Sequence, residues 1–449
     1  MGSPYFPVLP VLEELRARLS KFTVGKLDDV GFVCVQHLLE TTGSLLECLI
    51  QMGARPGNIF VVGKCYSTNQ DTLRRLRRLG VRAEGGRKPD RFGCFTRALE
   101  RDVAELWDTA VEKAVQRRLR SFVVLDDGGH CLALIPPAVR SQFVISGVEQ
   151  TTRGYRIGAR VPAGFPIIQV ARSAAKQHIE PPMISEAVLN KVNSSIPVAN
   201  GRLRCGVIGL GRIGQAVATH LVRLGHTVHV ADLSEALSDT VQGALWCETA
   251  QEVLGSTDLI FGCTGRDVFG RARYGSQDLG RWKKAKWLKK LSGEKTLASC
   301  STGDIEFLAL LKTEVRNSGE AAFDSLGSAC VEKPNATWTI LRGGFPVNFD
   351  GSPESVSSGD IQMTRGLLLC GIVQALLARG RKRVRGERWE KLDPAMQRFV
   401  VGTWLRSRES RRQWYPEAIM MGFMDRSWIQ SHSHGYDAHY PALAEAFGD

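Results

Sequence analysis

The cysteines of this chain show no pairing pattern. All 11 occur singly, from Cys34 to Cys370, with no CxxC pair and in odd number. A secreted disulfide framework or a structural zinc site needs clustered, paired spacings. Long apolar runs are missing too: none approaches the roughly 20 residues that a membrane span requires. At the start, Met1-Gly2-Ser3-Pro4-Tyr5-Phe6 has no basic stretch leading into an apolar one, so no secretory signal is expected. Gly2 alone resembles an acylation site, and Phe6 stands where Ser or Thr is needed. These absences argue against a disulfide scaffold, a structural metal and a membrane partner, and they predict a cytoplasmic protein in a reducing environment.

What is present is ordinary for a folded protein. The 449 residues are 43% apolar and 23% charged, which argues against extensive disorder and suits two or three domains. Glycine, at 46 residues, exceeds its usual share of about 7% and suggests many strand-to-helix turns. With 59 basic and 46 acidic residues the net charge is +13, so an anionic partner, nucleic acid included, has to be weighed. Basic residues gather at 74–78, 281–290 and 379–412. The middle run, Arg281-Trp282-Lys283-Lys284-Ala285-Lys286-Trp287-Leu288-Lys289-Lys290, suits phosphate contact with base stacking. It equally suits a surface helix whose Trp residues pack inward while Lys stems snorkel. No nucleic-acid module accompanies it, and a solvated face or subunit contact is the preferred reading.

Short runs rich in Val, Ile and Phe at 30–36, 58–64, 121–125 and 165–170 alternate with helical patterns at 41–52, 72–79 and 103–119. Such alternation predicts βαβ units and a parallel sheet. A helix at 185–193 leads into a second alternation from about 202 to 349, followed by a helix at 360–379 and a basic, Trp-rich tail.

The second alternation opens on Arg204-Cys205-Gly206-Val207-Ile208-Gly209-Leu210-Gly211-Arg212-Ile213-Gly214, a strand running into G-x-G-x-x-G and an amphipathic helix. In such a turn Gly209 makes the bend, Gly211 admits a pyrophosphate close to the backbone, and Gly214 lets helix and strand approach. Arg212 and Ile213 begin the helix, whose free N–H groups and positive dipole end suit phosphate. A strand at 227–231 ends in Asp232, 18 residues after Gly214 and suited to a ribose 2′-hydroxyl. Leu233 and Ser234 follow with no Arg for a 2′-phosphate, so NAD is favoured over NADP. A later strand ends in Cys263-Thr264-Gly265, a small-residue loop suited to the cofactor. The expected fold class is α/β with two doubly wound parallel-sheet domains: 1–185 completed by 350–385, then an NAD-binding Rossmann domain at 186–349, with a helical basic tail at 386–449.

An α/β domain ahead of a late NAD fold, with the chain returning to the first domain, resembles the S-adenosylhomocysteine hydrolases. Leu125-Asp126-Asp127-Gly128-Gly129-His130 is similar to that family's LDDGGD string, and Gly147-Val148-Glu149-Gln150-Thr151-Thr152-Arg153-Gly154 to its GxSEETTTG. The segment 36–52, with His37, and Lys64-Cys65-Tyr66-Ser67-Thr68 fall where the family binds substrate, and 342–353 falls on its NLG…GHPS stretch. The resemblance implies a homodimer or homotetramer with tightly held NAD that oxidises a secondary alcohol on a nucleoside or ribose-like small molecule. It places Lys176 as base, Asp127, His37 and Glu180 beside it, Thr42, Gln150, Thr151 and Thr152 on the substrate, and Asn348 at the cofactor.

This sequence also departs from the family. Gln150 replaces a glutamate, Glu180-Pro181 replaces an Asp-Asn pair, Leu39 and Thr41 replace Thr and Glu, and Ser352 stands for a histidine. No His lies between His229 and His432. The expectation is therefore a divergent member with redox chemistry. A genuine adenosylhomocysteinase and a catalytically reduced NAD-binding sensor or scaffold are the alternatives.

Overall fold

A computed structural model describes residues 4–23, 25, 27–89, 95–156, 164–195, 202–269, 273–274, 277–278, 292–312, 326–333, 335–379, 388–407, 422–423, 425–437 and 440–447. The chain divides into two compact units. Unit 1 is Met1–Arg87, Ala98–Glu180 and Gly351–Asp449; unit 2 is Lys88–Arg97 and Pro181–Asp350.

The strands run in chain order from β1 (Val30–Gln36), β2 (Ile59–Gly63), β3 (Arg82–Glu84), β4 (Ser121–Asp126), β5 (Val144–Glu149) and β6 (Ile167–Gln169) to β7 (Arg204–Ile208), β8 (Thr227–Ala231), β9 (Leu245–Trp246) and β10 (Leu259–Gly262). They continue with β11 (Arg273–Tyr274), β12 (Gln277–Asp278), β13 (Gly293–Ser299), β14 (Ala329–Lys333), β15 (Ala336–Ile340) and β16 (Trp389–Lys391).

Unit 1 is built on a parallel sheet of order β16-β6-β5-β4-β1-β2-β3. β1, β2 and β4 are buried along their whole length, as expected for strands covered on both faces. The helix Ser358–Leu377 packs on β4, β5 and β6 and on the helices Pro10–Thr23, Glu40–Gln51 and Pro394–Arg406. By length and composition it could cross a membrane, yet 89% of its most apolar window is buried inside unit 1. A helix apolar all round is a core helix when its neighbours cover it.

The residues after 385 do not form a separate unit. They belong to unit 1, where β16 pairs in parallel with β6 and closes one edge of the sheet. An uncovered strand edge carries a row of unpaired backbone groups, and the tail satisfies them. Three residues are too few to announce a strand by periodicity. The helices Pro394–Arg406, Arg426–His432 and Pro441–Phe447 complete the tail. The Trp–Lys run 281–290 lies outside the described residues.

Unit 2 has the sheet order β14-β15-β13-β10-β7-β8-β9, parallel throughout except for β14, which runs antiparallel to β15; β11 and β12 form a separate two-stranded hairpin. The helix Arg212–Arg223 packs on β7 and β8, burying Val217, Ala218 and Leu221 against Val207, Val228 and Val230.

Candidate functional site

Each parallel sheet reverses its strand order once, and ligands of such sheets bind in the crevice at the carboxyl ends of the strands flanking that point. In unit 2 the flanking strands are β7 and β10. After β7, Gly209 has φ +97 and a Cβ there would lie 2.8 Å from the Cys263 carbonyl carbon. A Cβ on Gly214 would fall 1.8 Å from the Gly209 oxygen. Gly211 differs, because a Cβ there would meet nothing within 4 Å. Two glycines are thus required by the protein itself, and the third faces open space. That is the room a pyrophosphate needs at the N-terminus of Arg212–Arg223, where Arg212 is exposed and Ile213 half-buried.

Asp232 follows β8 and accepts from the Leu210 N–H at 2.6 Å and the Ser234 N–H at 3.0 Å, which fixes its carboxylate beside the glycine turn. After β10, the Thr264 hydroxyl and the Gly265 N–H donate to the two Glu306 oxygens at 2.9 and 2.6 Å, and the Ser301 hydroxyl donates as well. Burial pushes the Glu306 carboxyl up to about 7, although these donors act against it. Asn348 is buried. The donors, the acidic residue and the open glycine fit a dinucleotide.

In unit 1 the flanking strands are β1 and β4. His37 follows β1 and Asp127 follows β4, and the two meet: His37 Nε2 lies 3.2 Å from Asp127 Oδ2. Lys64, fully buried after β2, donates to Asp127 Oδ1. Gln150, after β5, donates to Oδ2 at 2.5 Å. Burial alone would raise the Asp127 carboxyl, but the Lys64 ammonium and His37 outweigh it and hold the group well below the usual carboxylate range. Burial pushes His37 down to about 4, against the pull of Asp127. The ring is therefore neutral at ordinary pH. Because the carboxylate can only accept, Nε2–H donates to it, and Nδ1 accepts from the Ser67 hydroxyl at 2.5 Å.

Two further carboxyls lie beneath. Asp126 and Glu149 are register partners on β4 and β5 and are fully buried. Burial raises Asp126 to about 7, with the Asp127 charge adding to it, and raises Glu149 well above its usual range, with the Asp126 charge adding to it. Glu149 accepts from the Thr151 N–H and hydroxyl, both at 2.7 Å, so it shapes the loop that carries Gln150. A Cβ on Gly154 would fall 2.1 Å from the Glu149 carboxyl carbon.

Lys176 lies on the short helix Ala174–His178, capped by Ser173. Its Nζ donates to Glu180 Oε2 at 2.5 Å, and that oxygen also accepts from the Thr364 hydroxyl at 2.6 Å. The next residue, Arg365, is buried, donates to the Thr41 hydroxyl at 3.0 Å, and is pulled down by burial while Glu354, Glu180 and Asp127 support its charge. Arg365 is the charge common to the Lys176–Glu180 pair and the Asp127 centre.

Of the residues named from sequence, the structure brings Asp127, His37 and Gln150 into one cluster, and pairs Lys176 with Glu180. The Thr42 hydroxyl is committed to the His37 carbonyl at 2.7 Å, Thr151 serves Glu149, and Thr152 is exposed. Lys64, Ser67, Arg365, Glu354, Glu149 and Glu306 were not singled out. An ion pair 63 positions apart leaves no local signal. Complete burial of a lysine at a strand end could have been suspected only from the apolar run before it.

Residues 204–344 match the family model described as the NAD binding domain of 6-phosphogluconate dehydrogenase. Unit 2 is an NAD-binding domain. Over 359 residues the chain is 30% identical to an uncharacterised protein of Mycobacterium tuberculosis, covering 78% of this chain and 65% of that protein, so it spans about two thirds of this relative. Over 61 residues it is 43% identical to 2-(hydroxymethyl)glutarate dehydrogenase of Eubacterium barkeri, 13% of this chain and 20% of that one. Among solved structures, the NADPH-dependent glyoxylate/hydroxypyruvate reductase of Sinorhizobium meliloti aligns at 13% identity and TM-score 0.40, over 79% of this chain and 96% of that chain.

The match of residues 204–344 to that family model and the similarity to 2-(hydroxymethyl)glutarate dehydrogenase overturn the resemblance to the S-adenosylhomocysteine hydrolases, and with it the hydrolase reading and the nucleoside specificity. The shared strings mislead for a physical reason. Gly128 and Gly129 have φ +114 and +77, and a Cβ on Gly129 would press the Gly154 Cα at 2.8 Å. A DDGG-type string thus reports how tightly loops pack at the end of a parallel sheet, which many families share. Residues 204–344 are an NAD-binding domain similar to that of a dehydrogenase.

Proposed function

We propose that this protein is an NAD-dependent oxidoreductase that converts an alcohol of a hydroxyacid-like substrate to the carbonyl compound, or the reverse. One observation carries the reading. The buried Lys64–Asp127–His37–Gln150 cluster sits at the strand-order reversal of unit 1, where α/β sheets bind small molecules, and its Asp127 and His37 are both displaced downward from their ordinary ranges, Asp127 by its charged neighbours and His37 by burial, as at catalytic centres. The short match to 2-(hydroxymethyl)glutarate dehydrogenase supports the substrate class.

NAD held by unit 2 supplies a hydride acceptor. The alcohol must also release a proton: Lys176 passes one of its own to Glu180, which Thr364 also holds, and takes the alcohol proton in its place. Asp127 stays ionised and orients the substrate through hydrogen bonds. Lys64 holds its Oδ1 while Gln150 and neutral His37 hold its Oδ2, so the carboxylate does not rotate between turnovers.

The test screens 2- and 3-hydroxy acids for reduced-cofactor absorbance with the wild type and with Lys176→Met. Loss of a general base lowers kcat by about 10²- to 10⁴-fold while NAD affinity stays as in the wild type. If NAD binds and no hydroxy acid ever yields reduced cofactor, the oxidoreductase reading fails and a sensor or scaffold role takes its place.

A further inference from the structure

Cys263 and Cys300 stand side by side just past the ends of β10 and β13, and Cys263 abuts the glycine turn of the dinucleotide cradle. β10 and β13 run parallel with Gly262 opposite Ser299, so the next residues of the two strands, both cysteines, continue the same register. The Cys300 N–H donates to the Gly262 carbonyl at 2.8 Å and the Cys263 N–H to the Ile208 carbonyl at 2.8 Å, so both backbones are still held by the sheet. Neighbouring strands lie about 4.8 Å apart, inside the roughly 4.4–6.8 Å between Cα atoms that a disulfide spans. The Cys300 thiol is close enough to push the Cys263 thiol up, and both residues are half-buried rather than sealed in the core.

Cys263 is also part of the nucleotide turn. The Cβ position of Gly214 lies 3.2 Å from Cys263 Cβ, and that of Gly209 lies 2.8 Å from the Cys263 carbonyl carbon. The two residues after Cys263 are the Thr264 and Gly265 whose hydroxyl and N–H are fixed by Glu306. Any shift of Cys263 toward its neighbour therefore moves the surface against which Gly209 and Gly214 close.

We propose that Cys263 and Cys300 form a reversible disulfide that weakens NAD binding to unit 2. The oxidant is a low-molecular-weight disulfide, RSSR. The Cys300 thiolate attacks one sulfur of RSSR and expels RS⁻, which leaves a mixed disulfide on Cys300. Cys263 gives its proton to solvent and attacks the Cys300 sulfur, forming the Cys263–Cys300 bond and expelling the second RS⁻. Two protein thiols and one RSSR thus give one protein disulfide and two RSH, and excess RSH runs the exchange backwards. The order follows from the surroundings, because the neighbouring Cys300 thiol and burial hold the Cys263 thiol well above its usual range, which suits the resolving rather than the attacking sulfur. The inference rests on unit 2 as an NAD-binding domain and not on the substrate.

The test treats the full chain with glutathione disulfide, blocks remaining thiols with N-ethylmaleimide, maps cross-linked peptides by mass spectrometry and measures NAD affinity by calorimetry. The expected result is a 263–300 cross-link, NAD affinity reduced by about tenfold, as for an ordinary coupling between two sites, and full recovery with dithiothreitol. Cys300→Ser, with Cys300→Ala as a second variant, binds NAD like the reduced wild type and ignores the oxidant. Other cysteines being oxidised while 263 and 300 stay free overturns the proposal. So does a 263–300 cross-link that leaves NAD affinity unchanged, or a Cys300 variant that remains oxidant-sensitive.

Discussion

At Asp127 three donors converge on one carboxylate, so the charge each partner feels depends on the other two. His37 makes this measurable. The Lys64 ammonium and Arg365 push its equilibrium down, and Asp127 pushes it up. In the wild type the ring stays neutral across the physiological range, with its midpoint near 4. Lys64→Met removes one of the opposing charges and raises that midpoint, read from imidazole resonances by NMR; a midpoint that falls or stays fixed sinks the charge cluster. The glycines give a second residue-scale prediction. Gly211→Ala meets no protein atom, so its melting temperature matches the wild type while NAD affinity drops. Gly214→Ala must displace the Gly209 carbonyl and loses stability by about 1–3 kcal/mol, as overpacking does. Calorimetry with and without NAD separates the two. These glycines were legible in the sequence because a backbone turn fixes their spacing locally. Lys64 was not, because its role arises only when the ends of β2 and β4 come together.

Among the elements, the loop 263–265 depends on a single buried carboxyl. Glu306 rises from an ordinary 4.5 to about 7 in the folded state. A raised carboxyl contributes stability below its unfolded value and loses it as pH climbs through the folded one, because the folded protein holds the proton longer. Relative to Glu306→Gln, whose amide imitates the protonated form, the wild type therefore loses melting temperature between about pH 5 and about pH 8. A pH-independent difference between the two proteins removes the buried-carboxyl account. The elements that sequence made plain were those with enough residues to show a period: β1 and β8 fall at 30–36 and 227–231 as read. β5 is absent from the strands read from sequence, its Ser146-Gly147 pair breaking the apolar run, and β3 and β16, with three residues each, are set by the edges they cover.

For the whole molecule, the residues after 379 complete unit 1 rather than append to it. β16 supplies the outer pairing of β6, and Pro394–Arg406 packs on Ser358–Leu377 and Pro10–Thr23. Ending the chain at Arg379 leaves the β6 edge bare and uncovers an apolar helix. The truncated protein is expected to aggregate or to lose the cooperative melting of unit 1, seen by light scattering and calorimetry; an unchanged melting profile contradicts the assignment of the tail. The alternation of strands and helices made two sheets and an interrupted first unit legible. The place of the tail was not, since nothing in 386–449 states which edge it will meet.

The interruption of unit 1 also fixes the order in which its parts become available during synthesis. Strands β1 to β6 leave the ribosome first, but Ser358–Leu377, the helix that covers β4, β5 and β6, follows only after Pro181–Asp350 has been made. At about 5–20 residues per second that delay is on the order of ten to thirty seconds. Through that interval an apolar sheet face waits without its cover, and by its end unit 2 has every residue it needs while unit 1 does not. The nascent chain thus holds a complete nucleotide-binding unit and an unfinished partner, and it is the unfinished half that needs a chaperone.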